Sequence, residues 1–313
     1  MVIDNGSTDD SVEMIREYSR GDVRIDTPLI KYSIDNKPLN VCEIDVESKN
    51  NPIRYDDSLL ECRSNRGFIL IKNPRNEGFA DGNNIGINYA MQSLKPRYIL
   101  LLNNDTIVDR ELLNNLVSCA STIDGIGIEG PRINFYDRPD TISSAGGVIN
   151  FWKGSTPQYD ELNDPPKANK QIYDVDFVSG CALFIDTEIF KSVELFDEKF
   201  FLYWEDIDLC YRTKKSGYRI ICNRDAVIWH KISQSFNKVS TVAVYYGHRN
   251  QILFMRKQAT PFQKIVFIYY FVLIQFPFRL STLLSRPKSN VLLSYFLKGI
   301  FDGFLDRSSK DSP

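Results

Sequence analysis

The stretch YILLLNNDTIVD, residues 98–109, is the part of the sequence that decides the fold class. Residues 98–102 form a short apolar run, which is typical of a buried strand, and a polar turn follows it directly. Residues 82–94 and 111–122 on either side have the apolar spacing of helices, and residues 68–72 form another apolar strand. Strands that alternate with helices predict an α/β fold with a mostly parallel sheet flanked by helices.

The first 66 residues show less regular patterns. Residues 2–3 predict the end of a strand, which runs through a polar turn into an amphipathic helix over residues 11–19. Residues 21–66 are polar and rich in Asn and Asp. We therefore expect a surface insertion at residues 21–66, with a hairpin near residues 41–46.

The second half of the chain contains another strand, a helix and a helical C-terminal region. The run FVSGCALFI, residues 177–185, is apolar, and FFLYWEDIDLCYRTKKSG, residues 200–217, predicts a helix that stops at Gly217. A strand follows, and the remaining sequence is helical and rich in aromatic and basic residues. We expect one domain over residues 1–238 and a helical extension over residues 239–313.

Composition and charge exclude several classes of protein. The chain has 313 residues, with 38 Lys and Arg against 40 Asp and Glu, so it lacks the broad basic field of a non-specific nucleic-acid binder. None of its six cysteines has C-x-x-C spacing, which excludes a zinc ribbon and a thioredoxin-like pair, and we expect reduced cytosolic thiols. The first residues, MVIDNGSTDD, lack the features of a secretory signal, so we expect the protein in the cytoplasm.

The most apolar segment is IVFIYYFVLIQFPF, residues 265–278, which carries no charge. It is shorter than the roughly 20 residues that a spanning helix requires. Basic residues flank it, namely Arg256, Lys257 and Lys264 before it and Arg279, Arg286 and Lys288 after it. This pattern favours a helix that lies on anionic lipid, with a core or dimer helix and a membrane span as alternatives. A second amphipathic helix is predicted over residues 291–305.

Asp105, in the turn after the strand at 98–102, is the first candidate ligand. In open α/β sheets, ligands bind at the carboxyl ends of strands. A carboxylate with the amide Asn103 two residues before it offers the oxygen ligands that a divalent cation takes together with diphosphate oxygens. An ordinary turn or helix cap is the competing interpretation.

The acids Glu205, Asp206 and Asp208 form a second candidate site on the predicted helix. Acids three positions apart on a helix share a face, whereas adjacent acids diverge, so one carboxylate can react while another orients a partner. A carboxylate behind the aromatic residues that precede this helix is a candidate general base. The competing interpretation is a solvated acidic turn paired with Arg212 and Lys214.

The two histidines and one polar loop complete the candidates. His230 follows an apolar strand, where an imidazole is either a metal ligand or a core residue, and His248 lies on a basic helix without an acidic neighbour.

The loop NEGFADGNNIGINYA, residues 76–90, offers backbone N–H groups and amides to an anion or a ribose. It matches neither the dinucleotide-binding G-x-G-x-x-G nor the Walker A loop, which excludes both of those sites.

Six segments, taken together, resemble the family 2 glycosyltransferases of the GT-A fold, in the branch of bacterial and archaeal rhamnosyltransferases. They are VIDNGSTDDS, NEGFADGNNIGI, YILLLNNDTIVD, FVSGCALFI, FFLYWEDIDLCYR and YYGHRNQILFMRK, in this order between residues 2 and 257. Members of the family have a strand, a loop and a helix before VIDNGSTDD, whereas this chain begins inside the second strand. We therefore expect a sheet that lacks its first strand and has an open edge there.

The resemblance implies a role for each candidate residue. The nucleotide sugar would contact Asp4, Asn5, Gly78, Asp81, Asn103 and Asn104, with Asp4 at the nucleobase. Asp105 stands at the end of the family's D-x-D motif and would hold a divalent metal, Mn²⁺ or Mg²⁺, with His230 as the distal ligand. Asn103 replaces the first acid of that motif, which implies a modest metal affinity. Asp206 occupies the position of the catalytic base, with Glu205 beside it at the acceptor site.

The resemblance implies inverting transfer of a sugar from a nucleoside-diphosphate sugar to a glycan or lipid-linked acceptor. Such a transfer needs one base and a metal on the diphosphate, without a second carboxylate as nucleophile. We expect a cell-envelope polysaccharide enzyme, peripheral at the inner face of the cell membrane, with no nucleic acid as partner and with a homodimer as an open alternative. The alternative functions are a sugar nucleotidyltransferase and an inactive truncated homologue that serves as a membrane-associated interaction module.

Overall fold

A computed structural model describes residues 1–46, 67–160, 170–231 and 240–307. These residues belong to two units, Met1–Pro96 and Arg97–Pro313, and each unit has its own sheet. The predicted α/β class is confirmed, since both units combine a sheet with helices. The division after Pro96 differs from the predicted boundary at residue 238, because the C-terminal helices belong to the same unit as the larger sheet.

The first unit contains three parallel strands in the order β1-β3-β2. Its elements are β1 (Val2–Asn5), α1 (Ser11–Arg20), β2 (Asn40–Asp45), β3 (Gly67–Asn73) and α2 (Gly78–Tyr89), which continues as a π-helical turn (Ala90–Leu94). The central strand β3 buries Ile69 and Ile71 against Tyr89 of α2. Burial of these apolar side chains between strand and helix forms the core of this unit.

Strand β2 lies inside the segment predicted to be a surface insertion. It pairs in parallel with β3, so this part of the segment belongs to the sheet and the predicted hairpin at residues 41–46 is wrong. Its polar composition has a physical reason, because β2 is an edge strand whose Glu43 and Asp45 form ion pairs with Lys72 of β3. Cys42 of β2 is disulfide-bonded, which differs from the expected reduced thiols. Residues 47–66 of the predicted insertion lie outside the described residues.

The second unit contains a seven-stranded sheet. Its strands are β4 (Tyr98–Leu102), β5 (Thr106–Val108), β6 (Ile126–Phe135), β7 (Ile142–Ser144), β8 (Ile172–Asp174), β9 (Ala182–Asp186) and β10 (Arg219–His230). The order is β4-β9-β6-β10-β5, with β7 beside β6 and β8 beside β10. Strand β10 therefore lies among β5, β6 and β8, and its last residue reaches one end of the sheet.

Strand direction in this sheet differs from the prediction. Among its described strands, only β6 and β10 pair in parallel, and every other pair is antiparallel. The expectation of a mostly parallel sheet therefore holds for the first unit and is wrong for the second. The alternation of strands and helices stops after β6, because β6 to β9 follow one another in the described residues without the α-helical crossovers that usually connect parallel strands.

Helices α3 (Leu112–Thr122) and α4 (Glu205–Lys215) cover opposite faces of the larger sheet. Ile126 of β6 packs with Cys119 of α3, whereas its neighbour Gly127 faces Thr213 of α4, where an added Cβ would lie 2.7 Å from a side-chain methyl group. Successive residues of a strand point to opposite faces, so the two contacts lie on different sides. The predicted flanking of the sheet by helices is confirmed.

The predicted C-terminal helices are present. They are α5 (Thr241–Gln258), α6 (Pro261–Tyr270), a π-helical turn (Phe271–Gln275), α7 (Phe276–Leu284) and α8 (Ser289–Leu305). Helix α8 packs closely on α5 through two glycines, since a Cβ on Gly299 would lie 2.6 Å from the carbonyl oxygen of Tyr245 and one on Gly303 would lie 2.8 Å from that of Arg249. The hydroxyl of Tyr245 also donates to Asp302 at 2.8 Å.

Candidate functional site

Asp105 and His230 lie side by side at one end of the larger sheet. His230 ends β10, and its ladder partner Thr106 begins β5. His230 Nε2 lies 3.1 Å from Asp105 Oδ1, and the N–H of Lys231 donates to the carbonyl oxygen of Asp105 at 2.9 Å. The structure thus brings together the two residues that the resemblance assigns to a metal, although 125 positions separate them in sequence.

A short turn before β9, residues 179–181, connects this end of the sheet to α4. The N–H of Asn103 donates to the carbonyl oxygen of Cys181 at 3.0 Å, and the N–H of Gly180 donates to Asp206 Oδ2 at 2.7 Å. A Cβ on Gly180 would lie 3.3 Å from that carboxylate oxygen, so the absence of a side chain permits the close approach. The polar turn after β4 and the first residues of α4 are therefore attached to adjacent residues of one turn.

Asp206 is held by two backbone hydrogen bonds at the start of α4. Its two carboxylate oxygens accept the N–H groups of Gly180 and Ile207 at 2.7 and 2.8 Å. Burial raises the pKa of Asp206, and these backbone donors oppose that effect because they bind the charged form. The carboxylate is therefore held in one orientation by two hydrogen bonds.

Glu205 lies next to it in a very different environment. Its side chain is buried, and its Oε2 atom has no hydrogen-bond partner among the described residues. Burial and the charge of Asp206 raise the pKa of Glu205 well above its ordinary range. Burial therefore disfavours the charged form of both acids, and the effect is larger at Glu205, which does not receive the N–H groups of Gly180 and Ile207 that Asp206 accepts.

Asp208, the third acid, is structural. It is fully buried, and its two oxygens accept hydrogen bonds from Arg212 Nε at 2.7 Å and from Gln258 Nε2 at 2.8 Å. Lys214 pairs with Asp176 at 2.5 Å. The competing interpretation, a solvated acidic turn paired with Arg212 and Lys214, is therefore right only in the pairing of Asp208 with Arg212, because Asp208 is buried and Lys214 pairs outside the segment.

The chain enters α4 through a strained turn. Phe201, Tyr203 and Trp204 have φ angles of 60°, 69° and 75°, a region that residues with side chains rarely adopt. Each such residue costs on the order of 1–3 kcal/mol, so the surrounding contacts have to hold the turn. The geometry directs the backbone into α4 immediately before Glu205.

Helix α5 supplies those contacts. The Nδ2 atom of Asn250 donates to the carbonyl oxygens of Phe200, Leu202 and Tyr203 at 2.7, 2.8 and 2.8 Å. Arg249 Nη1 donates to Asn250 Oδ1 at 2.6 Å and thereby orients the amide. Both residues are buried, so this network replaces water as the partner of the turn carbonyls.

His248, which precedes this pair, is a structural residue. Its Nδ1 atom lies 2.7 Å from the carbonyl oxygen of Val244, and its ring lies edge-on to Phe296 with centroids 4.7 Å apart. Burial lowers the pKa of His248 to about 4, so the ring is neutral and Nδ1–H is the donor. These contacts connect α5 to α8.

The residues assigned to nucleotide binding in the first unit lie at the ends of β1 and α2. Asn5 Nδ2 donates to the carbonyl oxygen of Gly78 at 2.9 Å, and Asn5 Oδ1 accepts from Asn73 Nδ2 at 2.9 Å. Asn5 therefore joins the end of β1 to the start of α2. Asp4 precedes it on the strand, and Asp81 is buried in the first turn of the helix. Nucleotide binding by these residues stays a prediction.

Asn103 and Asn104 form the turn that leads to Asp105. The carbonyl oxygen of Asn103 accepts the hydroxyl of Thr106 at 2.6 Å, and Asn104 is exposed. No group of three or more His, Cys, Asp or Glu side chains in the described ranges could hold a metal ion. The donor set of Asp105 and His230 suits a cation that takes two protein ligands and completes its shell with phosphate oxygens and water.

Two residues of this arrangement escaped the sequence analysis, Gly180 and Asn250. Gly180 stands in the S-G-C tripeptide just before an apolar strand, where a glycine indicates close approach of another group. Asn250 follows the charged Arg249 in a helix segment bounded by the apolar runs VYY and ILFM, and buried polar residues of this kind require partners. The two signals were present, but their partners lie far away in sequence.

Comparisons with known proteins identify the family. A family model described as glycosyltransferase like family 2 matches residues 66–244, more than half of the chain. The chain is similar to the low-salt glycan biosynthesis hexosyltransferase Agl10 of Haloferax volcanii, with 26% identity over 57% of this chain and 57% of that protein. It is also similar to the dTDP-rhamnosyl transferase RfbF of Shigella flexneri, with 27% identity over 60% of this chain and 62% of that protein. The mannosyltransferase PcManGT from Pyrobaculum calidifontis, solved in complex with GDP-Man and Mn²⁺, aligns over 98% of this chain and 87% of that chain with 12% identity and a TM-score of 0.47.

The chain spans about three fifths of the length of the two curated relatives. The family match includes the turn after β4, the turn at residues 179–181, α4 and the end of β10. These segments carry Asp105, Asp206 and His230. The chain therefore belongs to the glycosyltransferase like family 2, as the resemblance of its six sequence segments implied.

Proposed function

We propose that the protein is an inverting glycosyltransferase that moves a sugar from a nucleoside-diphosphate sugar to a glycan or lipid-linked acceptor. The observation that carries this proposal is the attachment of two chemical groups to one turn, residues 179–181. One group is the Asp105 turn with its neighbour His230, which suits a metal and a diphosphate. The other is the ionised carboxylate of Asp206, which suits an acceptor hydroxyl.

In the proposed reaction, Asp206 is the general base. Its carboxylate takes the proton of the acceptor hydroxyl while that oxygen forms a bond to the anomeric carbon, and the bond from this carbon to the diphosphate breaks. Attack on the face opposite the diphosphate inverts the anomeric centre. A single displacement needs one ionised carboxylate and forms no covalent sugar–enzyme intermediate. The start of α4, with one charged and one neutral acid, meets this requirement.

Glu205 has a complementary role in the proposal. A buried glutamic acid that keeps its proton is a hydrogen-bond donor, and its Oε2 atom has no partner among the described residues. It is therefore suited to donate to an oxygen of the acceptor beside Asp206. If Glu205 were ionised, its charge would repel Asp206 and raise the pKa of the base further.

The metal proposed for this site is Mn²⁺ or Mg²⁺, and Asp105 and His230 are the residues that would hold it. Such a cation neutralises the charge that develops on the departing diphosphate. One carboxylate and one imidazole form a small ligand set, and Asn103 adds no charge. We therefore expect the affinity for the free cation to be modest and to rise when a nucleoside diphosphate is present.

The names of the relatives guide the choice of substrate. A hexosyltransferase and a dTDP-rhamnosyl transferase are among them, so we propose a hexose or a deoxyhexose such as rhamnose as the transferred sugar. We also propose a role in cell-envelope polysaccharide synthesis, with the enzyme peripheral at the cytoplasmic face of the membrane. Family membership supports the reaction class and leaves the acceptor to be found by experiment.

The test is an incubation of the full chain with Mn²⁺ and a panel of nucleotide sugars and glycan acceptors. A glycosyltransferase releases nucleoside diphosphate in an acceptor-dependent manner. Pyrophosphate formation from a nucleoside triphosphate and a sugar phosphate would instead identify a nucleotidyltransferase, and no turnover across the panel would favour the inactive homologue. The anomeric coupling in the NMR spectrum of the product decides the stereochemistry, and retention of the donor configuration would contradict the proposed displacement.

A further inference from the structure

Large apolar side chains remain exposed along the C-terminal helices. Helix α6, the π-helical turn and α7 form one continuous helix, Pro261–Leu284, whose 24 residues are long and apolar enough to cross a membrane by length and composition. The prediction that this helix is too short to span is therefore wrong, because it counted only the charge-free part. The most exposed side chains are Phe262, Tyr269, Leu273 and Phe278, which are 65% to 69% exposed.

The exposed apolar residues continue beyond this helix. Helix α8 adds exposed Val291, Leu297, Phe301, Phe304 and Leu305. Trp152, in the turn after β7, is half-exposed, and its ring lies edge-on to Phe262 with centroids 5.8 Å apart. We call the exposed apolar side chains of Pro261–Leu284 and α8, together with Trp152, the apolar surface. Of the 27 large apolar side chains that are exposed in the described residues, 14 belong to these two helical segments, and such a concentration is typical of an interaction surface.

The long helix is anchored to the rest of its unit along its middle. Phe267 and Phe271 are buried, and Phe267 packs so closely on the backbone at Gly154 that no Cβ would fit there. Gln251 of α5 donates to the carbonyl oxygen of Gly154 at 2.6 Å and to Gln275 Oε1 at 3.2 Å. A helix that crossed a bilayer would have to break these contacts or bring the sheet into the hydrocarbon. These contacts favour a helix that lies parallel to a membrane surface over one that crosses the bilayer.

The charge of this region differs sharply from that of the whole chain. Residues 261–301 contain no Asp or Glu, and their five basic residues are Lys264, Arg279, Arg286, Lys288 and Lys298. The whole chain has a net charge of -2. The apolar surface is therefore embedded in a positively charged segment, which complements an anionic partner.

We propose that the apolar surface docks on an anionic phospholipid bilayer, with the helix Pro261–Leu284 in the plane of the interface. Exposed aromatic and aliphatic side chains enter the boundary between headgroups and acyl chains, while the basic side chains bind anionic headgroups. A second copy of the chain is a poorer occupant, because a two-fold interface would bring the same basic segments together without an acidic complement. The proposal concerns the surface alone and does not depend on the transfer reaction.

The first experiment is flotation of the full chain with vesicles of phosphatidylcholine alone or mixed with phosphatidylglycerol. The protein is expected to float with the mixed vesicles, to bind less to phosphatidylcholine, and to bind less as salt rises, since exposed charges are screened. Alkaline carbonate should release it, because an interfacial helix does not span. Failure to float with anionic vesicles, as for a dimer that buries the surface, or resistance to carbonate, as for a spanning helix, would overturn the proposal.

Variants test which residues carry the binding. Replacing Phe262, Leu273 and Phe278 together by Ser is expected to lower partitioning by about tenfold or more, since three exposed apolar side chains no longer enter the bilayer. The matched control replaces Met14 and Leu113 by Ser, because these residues are 58% and 55% exposed on other helices. The control should partition like the wild type. Equal partitioning of the two variants would contradict the assigned surface.

Charge and contact can be tested separately. Lys264→Gln and Arg279→Gln should each reduce binding to the mixed vesicles by about fivefold, with little change on phosphatidylcholine alone. Of the three tryptophans, Trp152, Trp204 and Trp229, only Trp152 belongs to the apolar surface, so a blue shift of the emission on binding is expected to come from Trp152. Trp152→Phe should lose the shift while it still floats. A shift that persists in this variant would place the contact elsewhere and overturn the docking geometry.

Discussion

The side-chain nitrogen of Asn250 lies 2.8 Å from the carbonyl oxygen of Tyr203, and this hydrogen bond ties α5 to the residue two positions before Glu205. The same nitrogen also bonds the carbonyl oxygens of Phe200 and Leu202. One amide therefore holds three backbone groups of a turn with unfavourable φ angles. The position of α4, and with it the candidate base Asp206, depends on a residue of α5.

Removal of this amide is expected to disturb both stability and turnover. Asn250→Ala removes the side-chain donor from three carbonyl groups of the turn, although that of Phe200 keeps the N–H of Leu202, and this should cost on the order of 1–3 kcal/mol of unfolding free energy. In the folded fraction, kcat should fall more than the KM for the donor changes, because the turn positions Asp206. The control is Asn115→Ala, which removes one bond to the carbonyl oxygen of Asp225 elsewhere in the same unit. Equal kcat values in the two variants would argue against positioning by Asn250.

The two acids of α4 are expected to respond differently to neutralisation. Asp206→Asn should reduce kcat by about 10²- to 10⁴-fold, since the general base is lost, and should leave donor binding nearly intact. Glu205→Gln should retain activity to within about tenfold, because an amide resembles the protonated acid in shape and donor capacity. Steady-state kinetics, with circular dichroism to confirm folding, measures both. A reversal of this order would assign the base to Glu205.

The pH dependence of kcat provides a second measure of the same pair. Burial raises the pKa of Asp206, so the base becomes protonated at a higher pH than an ordinary aspartate. As the pH is lowered, kcat should therefore begin to fall at a higher pH than it would with an ordinary aspartate as the base. It should follow the fraction of Asp206 that is ionised. Glu205→Gln removes the proton-sharing partner and should move this limb of the profile. A limb that stays in place would show that the two acids are not coupled.

Asp105 and His230 are expected to affect the metal-dependent binding of the donor. Asp105→Asn and His230→Ala should each weaken the binding of a nucleoside diphosphate by about tenfold or more in the presence of Mn²⁺, since the loss of even a hydrogen-bond partner of a metal ligand typically costs about 10- to 100-fold. Calorimetric titration with and without Mn²⁺ separates the metal contribution. Asp124→Asn, at an exposed position in the same unit, is the charge-matched control. Wild-type affinity in both site variants would place the metal elsewhere.

A buried acid away from the candidate site predicts how stability changes with pH. Burial raises the pKa of Glu129 to about 7, although Asn223 donates to it at 2.8 Å. The folded state binds this proton more tightly than the unfolded state does. The contribution of Glu129 to the free energy of unfolding is therefore most favourable below the ordinary glutamate pKa, and it is lost as pH rises to about 7. Glu129→Gln should therefore add roughly 3 kcal/mol more stability at pH 8 than at low pH. Denaturant titrations at both pH values test this, and exposed Glu194→Gln, the control, should show no such difference.

Local sequence determined the elements and the chemistry of the candidate residues. Apolar spacing predicted the strand at residues 98–102, the helix ending at residue 122 and the C-terminal helices. It could do so because the residues that one face of a helix or strand buries lie at regular, short intervals along the chain. The resemblance of six ordered segments to family 2 glycosyltransferases was confirmed by the match over residues 66–244.

Only the tertiary structure decided how those elements pair and how strongly the pKa of each acid at the start of α4 is raised. The antiparallel pairing of β9 and the place of β2 in the first sheet depend on distant strands, which apolar spacing does not identify. Glu205 and Asp206 are adjacent in sequence and differ because only Asp206 receives the N–H of Gly180, 26 positions away. Burial and hydrogen bonding set the free energy of each charge, and both arise from residues that are remote along the chain. For the same reason, sequence analysis identified Asp105 and His230 only as separate candidates. The pairing of β5 with β10 brings His230 Nε2 to 3.1 Å from Asp105 Oδ1.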